Sequence, residues 1–230
     1  MTKIEFNQSK KNAGYKAAEF IKDGMILGLG TGSTAYYALI RAGELVKGGY
    51  QLKGVASSEG TARIAAENGV EVVDINTVDR IDLVIDGVDE IDPQFNAIKG
   101  GGGALFREKI IAAMATEVIW IMDSSKRVDA IGAFPLPVEI LRYGYTHTLC
   151  QLQAFGFDPK LREKDGQIYV TDNGNYIADL KLSAPLDIQD VEQKLSGIIT
   201  VVAHGLFLNM CHKIVVGTDT SAEVINNPHR

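Results

Sequence analysis

At 230 residues, with 46% hydrophobic and 23% charged side chains, the chain has an ordinary globular composition, long for one small domain and short for two full ones. A chain of this length can bury roughly 70% of the surface it exposes when unfolded, so it needs neither a disulfide framework nor a structural metal. A net charge of −6 argues against a nucleic-acid binder, which calls for a basic face, yet allows a small phosphorylated ligand held by a few lysines and backbone amides.

The opening MTKIEFNQSKKNAG has no apolar run of signal-peptide length. No later stretch approaches the ~18 uninterrupted apolar residues of a membrane span, so a cytoplasmic protein without membrane contact is expected. Residues 10–22 show helical spacing and end at Gly24. Met25 to Gly28 reads as a short buried strand running into glycines, Ser33 to Val46 as a helix, and Leu52 to Ala56 as a strand. A helix over 60–68 is stopped by Asn68-Gly69, and Val70 to Ile75 and Ile81 to Ile85 are further apolar runs. A glycine cluster at 100–103 precedes a helix from Ala104 to Ala115, and Val118 to Met122 is another strand. Strands alternating with helices predict βαβ units, hence a mainly parallel, doubly wound Rossmann-like α/β sheet with helices on both faces.

The pattern changes near Phe134-Pro135-Leu136-Pro137. A helical stretch (146–155) is followed by strands punctuated by Asp165-Gly166 and Asn173-Gly174, both hairpin signals, then by a helix (187–196) and an apolar run (198–207). Two hairpin-linked strands among helices suggest an inserted α+β domain of the split βαβ, ferredoxin-like kind. Lys213 to Thr218 reads as a buried strand that rejoins the first sheet. The larger domain is therefore expected to comprise 1–130 plus 207–230, and the smaller one, a lid or oligomerisation domain, 131–206. Cys150 and Cys211 stand in no CxxC or metal-ligand spacing and read as two buried thiols in a reducing compartment.

Three segments carry chemistry. The first, Gly28-Leu29-Gly30-Thr31-Gly32-Ser33-Thr34, lies between a strand and a helix, where backbone N–H groups and the helix's partial positive charge favour an anion. A dinucleotide fingerprint would need glycine where Ser33 stands, and an acidic residue where the second strand runs into Ser57-Ser58. A single phosphate fits better than a dinucleotide, and a tight turn with Ser33 capping the helix is the structural alternative. The second, Asp86-Gly87-Val88-Asp89-Glu90-Ile91-Asp92, follows an apolar strand and so places carboxylates at a sheet's carboxyl edge. Such carboxylates can bind sugar hydroxyls and exchange their protons; a Mg²⁺ site and a solvated acidic loop are the competing readings. The third is Lys99-Gly100-Gly101-Gly102-Gly103 leading into Ala104-Leu105-Phe106-Arg107-Glu108. Ordering four glycines is entropically costly, which points to backbone held close to a ligand. Glu108, in the first turns of the helix, leans back toward that loop; a dipole-complementing surface acid is the bland alternative.

Together these segments closely resemble the ribose-5-phosphate isomerase A family. GLGTGSTA (28–35), SSEGT (57–61), DGVDEID (86–92), KGGGGALFREK (99–109) and DSSK (123–126) keep that family's order and spacing. FPLPVE (134–139), DNGNYIADL (172–180) and the closing GT (217–218) extend the likeness over nearly the whole chain. The resemblance implies a cofactor-free aldose–ketose isomerase of the non-oxidative pentose phosphate pathway. It would act on ribose 5-phosphate and ribulose 5-phosphate and assemble as a homodimer or homotetramer, with no nicotinamide and no metal. Position by position, the proton acceptor matches Glu108; substrate contacts match Thr31, Gly32, Ser33 and Thr34, then Asp86, Gly87, Val88 and Asp89, then Lys99, Gly100, Gly101 and Gly102, and Lys126. Asp86, Asp89 and Lys99 are expected to share the catalytic work, and Lys10 to approach the phosphate. Val88 and Gly103 stand where relatives often have alanine, Phe106 where a small polar residue is common, and 198–207 is looser than the usual form. Rival readings are an amino-sugar-phosphate isomerase-deaminase, a CoA transferase with a glutamate nucleophile, and a non-catalytic sugar-phosphate sensor. Retention of Glu108, Asp86, Asp89 and Lys99 counts against the sensor.

Overall fold

Apolar runs bounded by glycine or acidic turns form strands, and the stretches with helical spacing form helices. The computed structural model describes residues 7–182 and 187–230. In chain order it contains α1 (Gln8–Ala18), β1 (Ile26–Leu29), α2 (Ser33–Lys47), β2 (Lys53–Ala56), α3 (Glu59–Glu67), β3 (Glu71–Val72), β4 (Ile81–Gly87), β5 (Glu90–Ile91), β6 (Ala97–Ile98), α4 (Leu105–Ala113), β7 (Ala115–Asp123) and β8 (Leu136–Ile140). Then follow α5 (Tyr145–Ala154), β9 (Asp158–Leu161), β10 (Glu163–Lys164), β11 (Gln167–Ile168), β12 (Tyr176–Lys181), α6 (Ile188–Ser196), β13 (Val201–His204), β14 (Leu206–Phe207), β15 (Lys213–Gly217) and β16 (Ala222–Asn226). Among these described residues, no helix is long and apolar enough to cross a membrane.

The chain packs as two compact units, one drawing on Met1–Val88, Arg107–Arg127 and Asn209–Arg230, the other on Asp89–Phe106 and Val128–Leu208. In the first unit a seven-stranded sheet runs β16-β15-β7-β4-β1-β2-β3. Every pairing is parallel except that of the edge strand β16, which the sequence pattern does not announce. Alternate residues Leu27, Leu29, Leu83, Ile85, Ile119, Ile121 and Val215 face one core shared with Ala13 and Ala17 of α1 and Ala38, Leu39 and Ala42 of α2. On the opposite face, Ile111 of α4 lies against Gly28 and Val84. The sheet is thus doubly wound, and its order reverses between β1 and β4, the place where such sheets take ligands.

In the second unit, β8, β9, β12 and β13 form an antiparallel sheet in the order β13-β8-β12-β9, with α5 and α6 supplying the two crossovers of a split βαβ. Leu136, Val138, Ile140, Ala178 and Leu180 pack on Leu152, Val191 and Leu195. A second, three-stranded sheet runs β14-β6-β5. Asp165-Gly166 makes the expected hairpin, with positive φ of 54° and 74°, between β10 and β11. Asn173-Gly174 instead closes a turn just before β12, because buried Glu139 gathers the side chains around it: its Oε1 accepts from Thr171 Oγ1, Asn173 Nδ2 and Asn175 Nδ2 at 3.0, 3.0 and 2.9 Å.

Cys211 is buried, but Cys150 is exposed, contrary to the expectation of two buried thiols. It lies two residues from each of the buried positions Thr148 and Leu152 of α5, and so on the helix's opposite face.

Candidate active site

In the first unit, the carboxyl ends of the adjacent strands β1, β4 and β7 bring three predicted segments to one sheet edge: Thr31–Thr34, Asp86–Gly87 and the 3-10 turn Ser124–Lys126. Asp86, only 1% exposed, is the hub. Its Oδ1 accepts from the Thr31 N–H at 3.0 Å and the Gly87 N–H at 2.7 Å, so the acidic turn holds the glycine turn of the neighbouring strand. Only glycine fits at 30, since a Cβ there would stand 2.1 Å from that same oxygen.

The Thr31 hydroxyl turns inward rather than outward. It lies 2.7, 2.9 and 3.0 Å from the hydroxyls of Ser57, Ser58 and Thr61; Ser58 donates in turn to Thr61, and Ser57 and Thr61 donate to the carbonyls of Leu29 and Gly30. Ser58 also caps α3. Ser57, Ser58 and Thr61 of the SSEGT motif are therefore the support of the first loop, a role their spacing alone does not reveal. Ser33 is not the cap of α2: the N-cap is Gly32, at φ 116°, with no side-chain cap bond. The hydroxyl of Ser33 accepts from Lys10 Nζ at 3.0 Å, which brings a cation to the amino end of α2. Lys126 closes a turn in which Asp123 accepts from the Ser125 N–H at 3.0 Å.

Glu108 lies on α4 in this unit and is 4% exposed, where a first-turn acid serving only the helix dipole would stay in water. Arg107 and Lys109 flank it, half-buried.

In the second unit, Lys99 follows β6 and is 2% exposed, its backbone N–H bonded to Gly205 O at 2.9 Å and its ammonium 5.2 Å from the centre of the Phe207 ring. The acidic motif divides its labour here. Asp89 accepts from the Gly101 N–H at 2.7 Å. Glu90, 6% exposed, holds the N–H groups of Gly132 and Phe134, both at 2.7 Å. Asp92 closes its own turn through Gln94 and Asn96. Glu90 and Asp92 are thus bound up in folding the chain, whereas Asp86 and Asp89 each steady a glycine loop. Val88 is buried, and Gly101 and Gly102 are exposed. Arg162, which no local pattern singles out, also reaches this loop and is itself held by Asp179.

Buried charges are costly unless partnered, and Asp86, Lys99 and Glu108 are all nine-tenths buried or more. Among the described residues, no group of three or more His, Cys, Asp or Glu side chains is arranged to hold a metal ion.

Comparison with known proteins gives these positions a family. The model of ribose 5-phosphate isomerase A (phosphoriboisomerase A) matches residues 53–221. A ribose-5-phosphate isomerase A of Streptococcus pneumoniae is 45% identical over 219 residues, covering 95% of this chain and 96% of the relative. One from Streptococcus gordonii is 44% identical over 217 residues, covering 94% and 96%. Among solved structures, a D-ribose-5-phosphate isomerase in complex with phospho-erythronic acid superposes with a TM-score of 0.91 at 35% identity, over 96% of this chain and all of the other. The ribose 5-phosphate isomerase of Plasmodium falciparum gives 0.89 at 35% identity, covering 95% and 98%. A family model spanning most of the chain and relatives sharing nearly half its residues end to end make the assignment: the chain is an isomerase of the ribose 5-phosphate isomerase A family.

Proposed function

We propose that the chain interconverts D-ribose 5-phosphate and D-ribulose 5-phosphate through an enediolate, with Glu108 as the proton-transferring base. The observation that carries this is the burial of Glu108: a carboxylate 4% exposed, on the helix that the lysine–glycine loop runs directly into. The named activity of relatives that align over nearly the whole chain supplies the substrate.

The chemistry balances as follows. In the opened aldose, Glu108 removes the C2 proton; the C2–H electron pair becomes the C1–C2 double bond, and the C1 carbonyl oxygen becomes an oxyanion. A proton then passes from the C2 hydroxyl to the C1 oxyanion through the carboxylate that serves the sugar oxygens; the C2–O electron pair forms the ketone, and the C1–C2 double-bond pair takes at C1 the proton that Glu108 returns. A positioned base contributes ~10²–10⁴-fold. Lys99 and the N–H groups of the Gly100–Gly103 loop stabilise the developing oxyanion, commonly the largest single term.

Asp86 serves ring opening and proton exchange at the sugar oxygens, and Asp89 binds hydroxyls while keeping the Gly101 N–H in place. The backbone of the Gly32–Thr34 turn, Lys10 and Lys126 take the phosphate, and this remote binding positions the reacting carbons. The absence of a side-chain cap on α2 supports the phosphate assignment, since the first-turn N–H groups are then available to an anion.

The test is direct conversion of ribose 5-phosphate to the ketose with no added cofactor, carried out in D₂O. Deuterium at C1 of the ketose is expected, and its absence would replace the enediolate with a hydride shift. Glu108→Gln should lower kcat by at least ~10²-fold while substrate still binds; retained turnover would remove Glu108 from the base role. Activity should survive exhaustive EDTA treatment, and a loss restored by Mg²⁺ would return the acidic turn to the metal reading.

A further inference from the structure

The second unit holds a guanidinium in a place the proposed chemistry does not yet use. Arg162 stands one residue beyond β9, its backbone fixed on both sides: its N–H donates to Ile177 O and its carbonyl accepts from the Tyr169 N–H, each at 2.8 Å. Its side chain is 15% exposed and is gripped by Asp179 of β12 through two parallel bonds, Nε to Oδ2 at 2.9 Å and Nη2 to Oδ1 at 2.5 Å. Such a fork leaves little rotational freedom. The remaining nitrogen, Nη1, donates to two consecutive carbonyls of the glycine loop, Gly100 O at 2.9 Å and Gly101 O at 3.1 Å.

Two successive carbonyls do not turn to the same side in extended backbone, where they alternate. Here residues 100–103 form a turn, closed by the Gly103 N–H on the Gly100 carbonyl at 2.9 Å, and Gly100 enters it at φ 102°, a conformation other residues rarely adopt. The peptide between Gly100 and Gly101 is then clamped at both ends, by Arg162 on its carbonyl and by Asp89 on its N–H at 2.7 Å. A Cβ on Gly101 would meet that Asp89 carboxylate at 2.7 Å, so the clamp closes only on glycine. In the next peptide, Arg162 holds the Gly101 carbonyl. A trans peptide points its N–H opposite to its C=O, so the Gly102 N–H faces away from the guanidinium, at an exposed residue. A positive charge behind the carbonyls also polarises both peptides and makes their N–H groups stronger donors.

We propose that Arg162, locked by Asp179, is a positioning residue for the isomerisation: it fixes the peptide planes of Gly100–Gly102 so that loop N–H groups, that of Gly102 foremost, are preset for the enediolate oxygen. This rests on the proposed role of the loop as oxyanion stabiliser. Preorganised donors cost no reorientation as charge develops, and removing a single such donor from an oxyanion hole costs about 10²–10³-fold in kcat.

The experiment compares wild type, Arg162→Ala, Asp179→Asn and Glu108→Gln on ribose 5-phosphate, with phospho-erythronic acid as a planar carboxylate probe of the same loop. For Arg162→Ala, kcat should fall ~30–100-fold, KM should change less than about threefold, and inhibition by phospho-erythronic acid should weaken along with kcat/KM. Free guanidinium at millimolar concentration should restore part of the lost kcat in Arg162→Ala and none in Glu108→Gln. Asp179→Asn, which keeps an acceptor but loses the charged fork, should show a smaller fall in kcat, and it carries the test if Arg162→Ala does not fold. A folded Arg162→Ala with wild-type kcat, or one that raises KM alone, overturns the positioning role. If Glu108→Gln stays inactive in the same series, the base assignment survives that failure. If Glu108→Gln turns over normally, the failure lies in the base assignment instead.

Discussion

Asp86 is the side chain on which the first glycine turn is built, and it makes a sharp prediction about its neighbour. Gly30→Ala would place a methyl 2.1 Å from Asp86 Oδ1, a distance that cannot be relieved without moving the carboxylate off the Thr31 and Gly87 amides. The expected outcome is a loss of kcat/KM of ~10²-fold or more, from an arrangement of buried polar groups that tolerates displacements well under 1 Å. Steady-state kinetics checks it, and near-normal kcat/KM in the folded variant would show that Asp86 is not held for catalysis. That this carboxylate stands at the sheet's carboxyl edge is legible in the sequence, because it directly follows an apolar run. How the four acids of the motif divide is not legible. Asp86, Asp89, Glu90 and Asp92 differ only in which backbone amides lie in reach, and those of Gly132 and Phe134 come from about forty residues away.

Helix α3 shows the same separation between what the chain announces and what it conceals. The helix is announced by its spacing, and Ser58 caps it: its hydroxyl accepts from the Thr61 N–H at 3.0 Å. Concealed is its second bond, to Thr31 of the first glycine turn, which only the parallel pairing of β1 with β2 brings into reach. Ser58→Ala is therefore expected to cost about 1 kcal/mol of stability, the usual worth of such a cap, and to raise KM for the sugar phosphate as the turn loosens. Thermal unfolding and kinetics measured together check both halves, and a stability loss with an unchanged KM would confine Ser58 to the cap. Gly60, two residues on, is the contrasting position. Its φ is not in the left-handed region, and an added Cβ would meet nothing nearer than Ser58 Oγ at 3.7 Å, an ordinary contact. Gly60→Ala should stabilise the helix by roughly 0.5 kcal/mol through lost freedom of the unfolded chain, a rise of about 1–2 °C in Tm, with activity unchanged. Two-residue strands such as β5, β6 and β14 lie beyond sequence reading altogether. They are too short to show alternation and exist because Ile98 meets Leu206 and Ala97 meets Phe207 more than a hundred residues later.

Across the whole chain, the alternation of strand and helix makes the doubly wound sheet legible, and the two crossovers around Asp165-Gly166 make the split βαβ legible. The closing segment is only half so: the apolar run 213–217 announces β15, but nothing announces the clasp beneath it. His212 forms that clasp. Its backbone N–H donates to Val118 O at 2.9 Å, its ring Nδ1 accepts from the Val118 N–H at 3.0 Å, and its carbonyl accepts from the Asn227 N–H at 2.9 Å. An imidazole accepting at Nδ1 must be neutral. Burial holds its pKa below the usual histidine value, the nearby Arg230 guanidinium and Lys213 ammonium push it the same way, and Glu117 opposes them. The unfolded chain, whose histidine titrates near 6.5, therefore takes up this proton before the folded chain does. The stability that His212 contributes is complete above about pH 6.5 and is lost as the pH falls from there through the lower, folded-state value. The slope stays well below the single-proton limit of about 1.4 kcal/mol per pH unit, because the ring is only half-buried. His212→Gln offers an amide oxygen to the same Val118 N–H without titrating. Denaturant unfolding at pH 7.5 and pH 5.5 should show wild type losing stability relative to this variant at the lower pH; a difference that stays constant, or widens in favour of wild type, would mean that the clasp accepts the proton without penalty.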